Sequence, residues 1–357
     1  MKILAIETSC DETSAAIVQD GTEILSNLVA SQVEFHKKYG GIVPEIASRK
    51  HIEVLHPLVE ESMREAKVRF EDLDAVAVTY GPGLVGSLLV GLCAAKGYAY
   101  SLDIPLIGVN HIEGHIYANF LNHKDTKTQR LKDPSFPFIC LVVSGGHTTI
   151  VLIKDHGKYE TLGKTRDDAA GEAFDKVARF LGLGFPGGPI IDRISKEGNP
   201  HAVEFPRAML APSASKGLAP SASKGRGEGY DFSFSGLKTA VVYHVKAMKK
   251  KELSEKEVRD LAASFQQAAI DTLTEKTIKA ALDKKVKTIA LAGGVSANSV
   301  LRNELKKKAE GCGITVLIPP PELCTDNAAM IGCAGYYRLK RGEKSDLKLA
   351  PVSTLKI

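Results

Sequence analysis

KILAIETSCDETSAAIVQDGTEILSNLVA, residues 2–30, sets the plan of the chain. Lys2 to Glu7 is a short apolar run with β propensity. Thr8-Ser9-Cys10-Asp11-Glu12-Thr13 is a small polar loop, Ser14 to Gln19 a second strand, Asp20-Gly21 a turn, and Glu23 to Ala30 a third strand. FICLVVSGGHTTIVLIKDHGKYETLG, residues 138–163, repeats the same order. Ile139 to Val143 is a strand, Ser144-Gly145-Gly146-His147 a small loop, Thr148 to Ile153 a strand, and Asp155-His156-Gly157 a turn before a third.

The later segments of the two halves also match. Asp74 to Thr79 is a strand leading into Gly81-Pro82-Gly83 and a helix from Leu84 to Ser101. Lys287 to Ala292 is a strand leading into Gly293-Gly294 and a helix from Ala297 to Glu310. A further strand closes each unit, Leu106 to Val109 and Ile314 to Ile318. A repeated strand and helix plan of this kind predicts an α/β protein of two similar lobes around a cleft. The expected lobes are residues 1–134 and 135–357, with a final helix at 326–341 near the lobe interface. Three other helices are expected. Val43 to Ala66 should turn Ile46, Ile52, Leu55, Leu58 and Val59 inward. Asp168 to Leu181 opens with acids that suit a helix dipole, and Val258 to Leu282 carries Leu261, Phe265, Ala269 and Leu273 on one face.

Composition excludes several classes. The 357 residues are 44% hydrophobic and 25% charged, an ordinary globular mix with length for two cores. The net charge of +5 is compatible with an acidic partner such as RNA, and equally with a lysine-rich solvated surface. Cys10, Cys93, Cys140, Cys312, Cys324 and Cys333 contain no C-x-x-C pair, so reduced thiols are expected, with neither a disulfide framework nor a Cys-type zinc site. MKILAIETSC is not expected to be a signal peptide. The apolar stretch Gly83 to Tyr100 contains Lys96 and reads as a buried helix rather than a membrane span.

NHIEGH, residues 110–115, sits where the strand ending at Val109 gives way to a helix. His111 and His115 are one turn apart on one face, a spacing that suits two imidazole ligands on one metal. Glu113 falls about 200° round the helix from His111, so the His-Glu-x-x-His protease pattern fails. A carboxylate would complete a two-His-one-carboxylate set suited to Fe(II) and also to Zn²⁺. Asp11, Glu12, Asp167, Asp168, Asp175, Asp192 and Asp326 all lie in or near loops or helix starts; Asp326, and Thr325 beside it, also read as helix N-caps.

The small-residue turns Thr8–Thr13 and Ser144–His147 offer backbone amides to phosphate, one turn in each lobe. Gly293-Gly294 opens a helix where backbone approaches a nucleoside closely, and Asn298 is placed to hydrogen-bond it. Neither a P-loop nor a dinucleotide fingerprint is present. Residues 210–217 and 218–225 both read LAPSASKG; the expectation for 206–229 is a flexible, basic surface loop.

The motifs IETSCDETS (6–14), GGIVPEIASRKH (40–51), TYGPGLVGSLLVG (79–91), VNHIEGH (109–115), VVSGGHT (142–148), GEAFDKVARFLGLGFPGGP (171–189), YDFSFSGLKTAV (230–241), AGGVSANSVLR (292–302) and CTDNAAMIG (324–332) resemble the bacterial tRNA N6-adenosine threonylcarbamoyltransferase family from end to end. The resemblance implies an ASKHA fold, that of actin, sugar kinases and heat-shock ATPases, with a nucleotide cleft. It implies transfer of a threonylcarbamoyl group from threonylcarbamoyl-AMP to the adenosine next to the anticodon, in tRNAs reading codons that begin with A. It further implies one divalent metal per subunit, Fe²⁺ before Zn²⁺, on His111, His115 and Asp326. Substrate contacts implied by the family map to Val143, Ser144, Gly145, Gly146, His147, Asp175, Gly188, Asp192 and Asn298. Implied partners are tRNA, a shorter TsaB-like paralogue of the same fold and a TsaE-like P-loop ATPase, in the cytoplasm with no membrane. The doubled LAPSASKG is longer than the family's usual segment there. Readings from other classes are a nucleotide-regulated binding module and a metalloprotease.

Overall fold

Ile3, Leu4, Ala5 and Ile6 are fully buried, so the strand β1 (Lys2–Glu7) is apolar on both faces and must be covered on both. It pairs antiparallel with β2 (Glu12–Gln19), which carries β3 (Glu23–Ser31) beyond it. On its other side β1 pairs parallel with β4 (Ala75–Gly81), and β5 (Leu106–Asn110) lies beyond β4. The first sheet therefore runs β3-β2-β1-β4-β5. The second repeats it. Around the fully buried β6 (Phe138–Val143) stand β7 (Thr148–Asp155) and β8 (Lys158–Lys164) on one side, β9 (Thr288–Ala292) and β10 (Thr315–Leu317) on the other, in the order β10-β9-β6-β7-β8. β6 is antiparallel to β7 and parallel to β9, as β1 is to β2 and β4. The duplicated plan is thus a duplicated sheet. Several boundaries move by a residue or two: β2 starts at Glu12 inside the expected loop, β4 runs on to Gly81 and β7 to Asp155.

This computed structural model describes residues 1–122, 135–207, 210 and 229–357. Apart from Leu210, the doubled LAPSASKG segment lies outside the described residues. The chain forms two compact units, Met1–Phe136 with Asp155–Lys158 and Leu317–Ile357, and Pro137–Lys154 with Tyr159–Val316. The chain thus returns to the first unit at Leu317, and the last helix, Ala328–Lys340, belongs with the first sheet rather than with a lobe running from 135 to the end.

The first sheet is covered on both faces. Leu4, Ile6, Ile17, Val76 and Val78 form one core with Leu55, Val59 and Met63 of the helix Pro44–Ala66 and Leu92, Ala95 and Ala99 of the helix Val85–Leu102. The opposite face takes the last helix at very close range. A Cβ on Gly332 would stand 2.6 Å from Val18 Cγ2 and 3.2 Å from Ala5 Cβ, and one on Gly335 would stand 2.6 Å from Ala77 Cβ.

Two helix expectations need correction. Ile52 does not face inward but is 66% exposed. The buried stripe of its helix instead includes His51 and Ser62, which apolar periodicity cannot see. Both are satisfied: His51 Nδ1 meets Thr13 Oγ1 at 2.8 Å, and Ser62 Oγ meets Ser26 Oγ at 2.7 Å. The helix Val85–Leu102 is long and apolar enough by length and composition to cross a membrane. It is a half-buried core helix, packing Ser87, Leu88, Gly91, Leu92, Ala95 and Ala99 inward and exposing Val85, Leu89 and Tyr100. The second unit keeps to its pattern: Leu261, Phe265, Ala269 and Leu273 of the helix Glu255–Asp283 are all buried, and Ser254 and Glu257 close its start with a capping box.

The close approach of the last helix has a testable consequence for stability. Gly332→Val adds volume where none is available and should lower stability by about 1–3 kcal/mol. Gly97→Ala, in the exposed interior of the helix Val85–Leu102 with no atom within 4 Å of the new Cβ, should raise it by up to ~1 kcal/mol. Shifts of opposite sign in the denaturant midpoint are expected; equal midpoints would mean the helix–sheet contact is looser than described.

Candidate metal and substrate sites

β5 is buried throughout and ends on Asn110, whose Oδ1 accepts the backbone N–H groups of Ile112 at 2.8 Å and Glu113 at 3.4 Å. That cap starts the helix His111–Tyr117 at the strand's carboxyl end. The helix lies directly on the last one, because a Cβ on Gly114 would fall 2.6 Å from Ile331 Cδ1. Glu113, 2% exposed, accepts from Arg338 Nη1 of that last helix at 2.7 Å. It is turned to an arginine, not to the histidines, in keeping with its angle round the helix.

His111, His115 and Asp326 come together, their ligand atoms all within 4.8 Å of one another. Asp326 Oδ1 is 3.5 Å from His111 Nε2 and 3.1 Å from His115 Nε2. Among the described residues no hydrogen bond reaches either ring nitrogen of His115, which is 1% exposed. A buried imidazole in that state is costly unless something else takes a nitrogen lone pair. The orphaned ring and the N, N, O donor set together fit a divalent transition metal. Asp326 is not the helix cap. That role falls to Asn327, whose Oδ1 accepts from Met330 N at 3.1 Å. The segment is pinned to the first sheet by Ala328 N donating to Ser14 Oγ at 2.8 Å and Ala329 N to Asn27 Oδ1 at 3.2 Å.

Sequence reading missed one residue of this site, Glu7. Its fully buried carboxylate accepts from Ser9 N at 2.5 Å, Thr79 Oγ1 at 2.5 Å and His111 Nδ1 at 3.0 Å. Burial pushes the Glu7 carboxyl up, but the charge and hydrogen bond of His111 outweigh it and hold it below the usual range. Burial likewise pushes His111 down, and Asp326 and Glu7 together raise it to about 9. Beside them Glu12 is pushed up to about 10 by burial and then by Asp326 and Asp11. The turn Thr8–Thr13 therefore does not suit phosphate: its Ser9 amide is given to Glu7, and its surroundings are acidic. Only the adjacency of Glu7 to a polar turn at a strand end could have signalled its role in the sequence.

In the second unit the mapped substrate residues form one connected set. β6 ends in Val143, and the turn after it is closed by Ser144 N donating to His147 O at 2.8 Å and His147 N to Ser144 Oγ at 3.1 Å. Gly171 N, at the start of the helix Ala170–Phe180, donates to Ser144 O at 3.2 Å. From that helix Asp175 accepts Gly187 N at 2.7 Å, fixing the start of the helix Gly187–Ile194. From there Asp192 accepts Ser299 N at 3.2 Å and Ser299 Oγ at 2.9 Å, at the start of the helix Ser299–Glu310. Asn298 caps this last helix by accepting Leu301 N at 2.9 Å, and its Nδ2 donates to Gln266 Oε1 at 2.8 Å. Its side chain is thus engaged within the protein rather than held out for a nucleoside. Open backbone lies at Gly145, Gly146, Gly188 and Gly294, where an added Cβ would meet nothing within 4 Å. The acids at 167 and 168 do not open a helix, which begins at Ala170. Asp167 accepts from Phe234 N, Ser235 N, Ser233 Oγ and Ser235 Oγ, and Asp168 pairs with Lys176 and Lys238 at 2.8 and 2.6 Å.

Comparison with known proteins agrees with this geometry. Residues 23–333 match the family model described as TsaD, tRNA N6-adenosine threonylcarbamoyltransferase. The chain is 54% identical to a protein of that name from Clostridioides difficile (strain 630), covering 99% of this chain and 98% of the relative. It is 55% identical to one from Clostridium botulinum (strain 657 / Type Ba4), covering 100% and 98%. Among solved structures, HypF of T. kodakarensis superposes with a TM-score of 0.60 at 14% identity, over 95% of this chain and 48% of that one. The activator of the 2-hydroxyisocaproyl-CoA dehydratase from Clostridium difficile with bound ADPNP superposes at 0.51 and 11% identity, over 97% and 99%. These last two speak for the fold alone, an α/β architecture of the ASKHA type with two mixed sheets. The family-model match over residues 23–333 and the full-length identity to curated relatives show that the chain belongs to the tRNA N6-adenosine threonylcarbamoyltransferase family.

Proposed function

We propose that this protein is a transferase that moves the threonylcarbamoyl group from threonylcarbamoyl-AMP to the N6 amine of the adenosine next to the anticodon, in tRNAs reading codons that begin with A. The observation that carries the reading is the identity above one half, along the whole chain, to curated proteins of that name. The donor is a mixed anhydride, already activated. The adenosine amine attacks the carbamoyl carbon, the bond to phosphate oxygen breaks, AMP leaves, and the amine gives up a proton. No covalent protein nucleophile is required.

His111, His115 and Asp326 would hold one divalent ion per subunit, Fe²⁺ in first place and Zn²⁺ as the alternative. Such an ion, when bound, supplies a Lewis acid and a template for the threonyl end. Val143 to His147, Asp175, Gly188, Asp192 and Asn298 form the substrate side of the reading. The backbone of Gly145 and Gly146 would approach the phosphate, while the three polar side chains hold the supporting helices in register. The protein would work in the cytoplasm with tRNA, a shorter TsaB-like paralogue and a TsaE-like P-loop ATPase. The His-Glu-x-x-His protease pattern needs its base directly after the first histidine, where this chain has Ile112, and Glu113 is engaged with Arg338 instead.

Three outcomes are expected. Asp326→Ala, His111→Ala and His115→Ala should each leave the fold intact, strip most of the metal and abolish single-turnover transfer to unmodified tRNA in the presence of the partners. Because Asn327 is the cap, Asp326→Ala should not show the ~1 kcal/mol loss of a removed cap. Normal metal content with normal transfer in all three would remove the site from the mechanism.

Metal affinity should also depend on pH in a defined direction. Asp326 and Glu7 raise His111 from 6.5 to about 9, so its contribution to stability is fully present below 6.5 and lost as pH rises through 9. A metal must displace that proton. Apparent affinity should therefore climb by up to about tenfold per pH unit below 9 and flatten above it. A flat profile in competition titrations would show that His111 is already neutral.

Binding of tRNA should be mostly electrostatic, with log K falling linearly in log salt. Arg49, Lys50 and Lys238 are candidate contacts. Affinity unchanged between low and physiological salt would count against a phosphate-led interface.

A further inference from the structure

Glu7 ends β1, Thr79 lies two residues before the end of β4 and His111 directly follows β5, three neighbouring parallel strands. Glu7 has no exposed surface, and its position is fixed by the central strand of its sheet. Oε1 accepts the Ser9 amide at 2.5 Å; Oε2 accepts Thr79 Oγ1 at 2.5 Å and faces His111 Nδ1 at 3.0 Å. With two donors already aimed at the carboxylate, the third contact is charge-assisted and places a proton on Nδ1. That leaves Nε2, the nitrogen nearer Asp326, as the one with a lone pair for a metal. We infer that Glu7 is the positioning residue of the metal site, a carboxylate that fixes the His111 ring and its tautomer so that Nε2 is the ligand atom.

The inference rests on the metal reading given under Proposed function and goes one layer behind it. Ligating histidines are regularly oriented by a carboxylate on the other ring nitrogen, and losing that partner typically weakens metal binding about 10- to 100-fold. Two features make Glu7 the specific choice here. Ser9 Oγ also lies near Nδ1, at 3.1 Å, but it is neutral and can donate as well as accept, so it does not fix the proton. His115 has no equivalent, since among the described residues neither of its ring nitrogens has a hydrogen-bond partner. The two ligands are therefore unequal: Nδ1 of His111 faces a buried carboxylate, and Nδ1 of His115 has no hydrogen-bond partner among the described residues.

Glu7→Gln tests this at nearly constant volume. The glutamine oxygen can still accept the Ser9 amide, while its NH₂ group would face Nδ1 and reverse the tautomer. Zn²⁺ competition titration on the full chain should show affinity roughly 10- to 100-fold below the native protein. Ser9→Ala should cost less than Glu7→Gln. The second readout is independent of affinity. In histidine-labelled, Zn²⁺-loaded native protein, ¹H–¹⁵N correlation should show His111 coordinated through Nε2 with a strongly hydrogen-bonded Nδ1 proton, and that proton should move or vanish in Glu7→Gln. A merely structural glutamate would lower the melting temperature without moving that resonance. Native affinity in Glu7→Gln with an unchanged Nδ1 proton would overturn the inference while leaving the metal site standing. Coordination of the native protein through Nδ1 would overturn it even if the variant fails to fold. Absence of Zn²⁺ binding by the native protein would remove the metal reading itself.

Discussion

The last helix can lie on the first sheet only where two of its residues have no side chain. At Gly332 and Gly335 the helix meets Val18, Ala5 and Ala77 at distances that exclude even a methyl group. Much of the first unit's site depends on that contact. It brings the Asp326 segment, held by Ser14 and Asn27, to the end of the sheet where β1, β4 and β5 stop. It also lets Arg338 reach the buried Glu113, locking the histidine helix from behind. Removing one member of a buried ion pair strands the other charge, at a typical cost of about 3–5 kcal/mol. Glu113 thus belongs to the framework that holds the histidines still.

The electrostatics of the site ask for a cation. Glu7 and Asp326 flank His111, Asp326 also flanks His115, and Asp326 bears on the buried Glu12 beside them. The chain responds in the two ways available to it. It holds a proton on His111 up to about 9, and it pushes the Glu12 carboxyl up to about 10. Both reduce the repulsion within the acidic cluster. A divalent ion would supply the missing charge without those protons, which is why metal and proton compete here.

The sheets were legible because their strands are short apolar runs broken by Gly and Asp turns, and the duplication made each half evidence for the other. The histidine pair was legible from spacing, because a helix turns i and i+4 to one side. Asp326 was not singled out by spacing. Several acids in loops shared its description, and only the resemblance separated it from them; the structure then gave the cap to its neighbour Asn327. Ile52 was misplaced because apolar periodicity assumes an apolar inner face, whereas the helix buries His51 and Ser62 against polar partners. Glu7 was invisible for another reason. Its partners Thr79 and His111 lie 72 and 104 positions away, and nothing local marks a strand-end glutamate as a hub. The return of the chain to the first unit at Leu317 is likewise a long-range fact.

The duplicated plan puts two turns at equivalent places, after β1 and after β6, and the side chains give them opposite tasks. After β6 the turn is neutral and closes on itself through Ser144 and His147, leaving Gly145 and Gly146 with bare backbone facing open space. An anion can approach such backbone closely. After β1 the corresponding turn carries Asp11 and Glu12, and the Ser9 amide that would have met an anion is satisfied by the chain's own Glu7. The same fold element is therefore filled from within by a carboxylate in one unit and left open in the other. The difference lies at the end of the strand, where β1 has Glu7 and β6 has Val143.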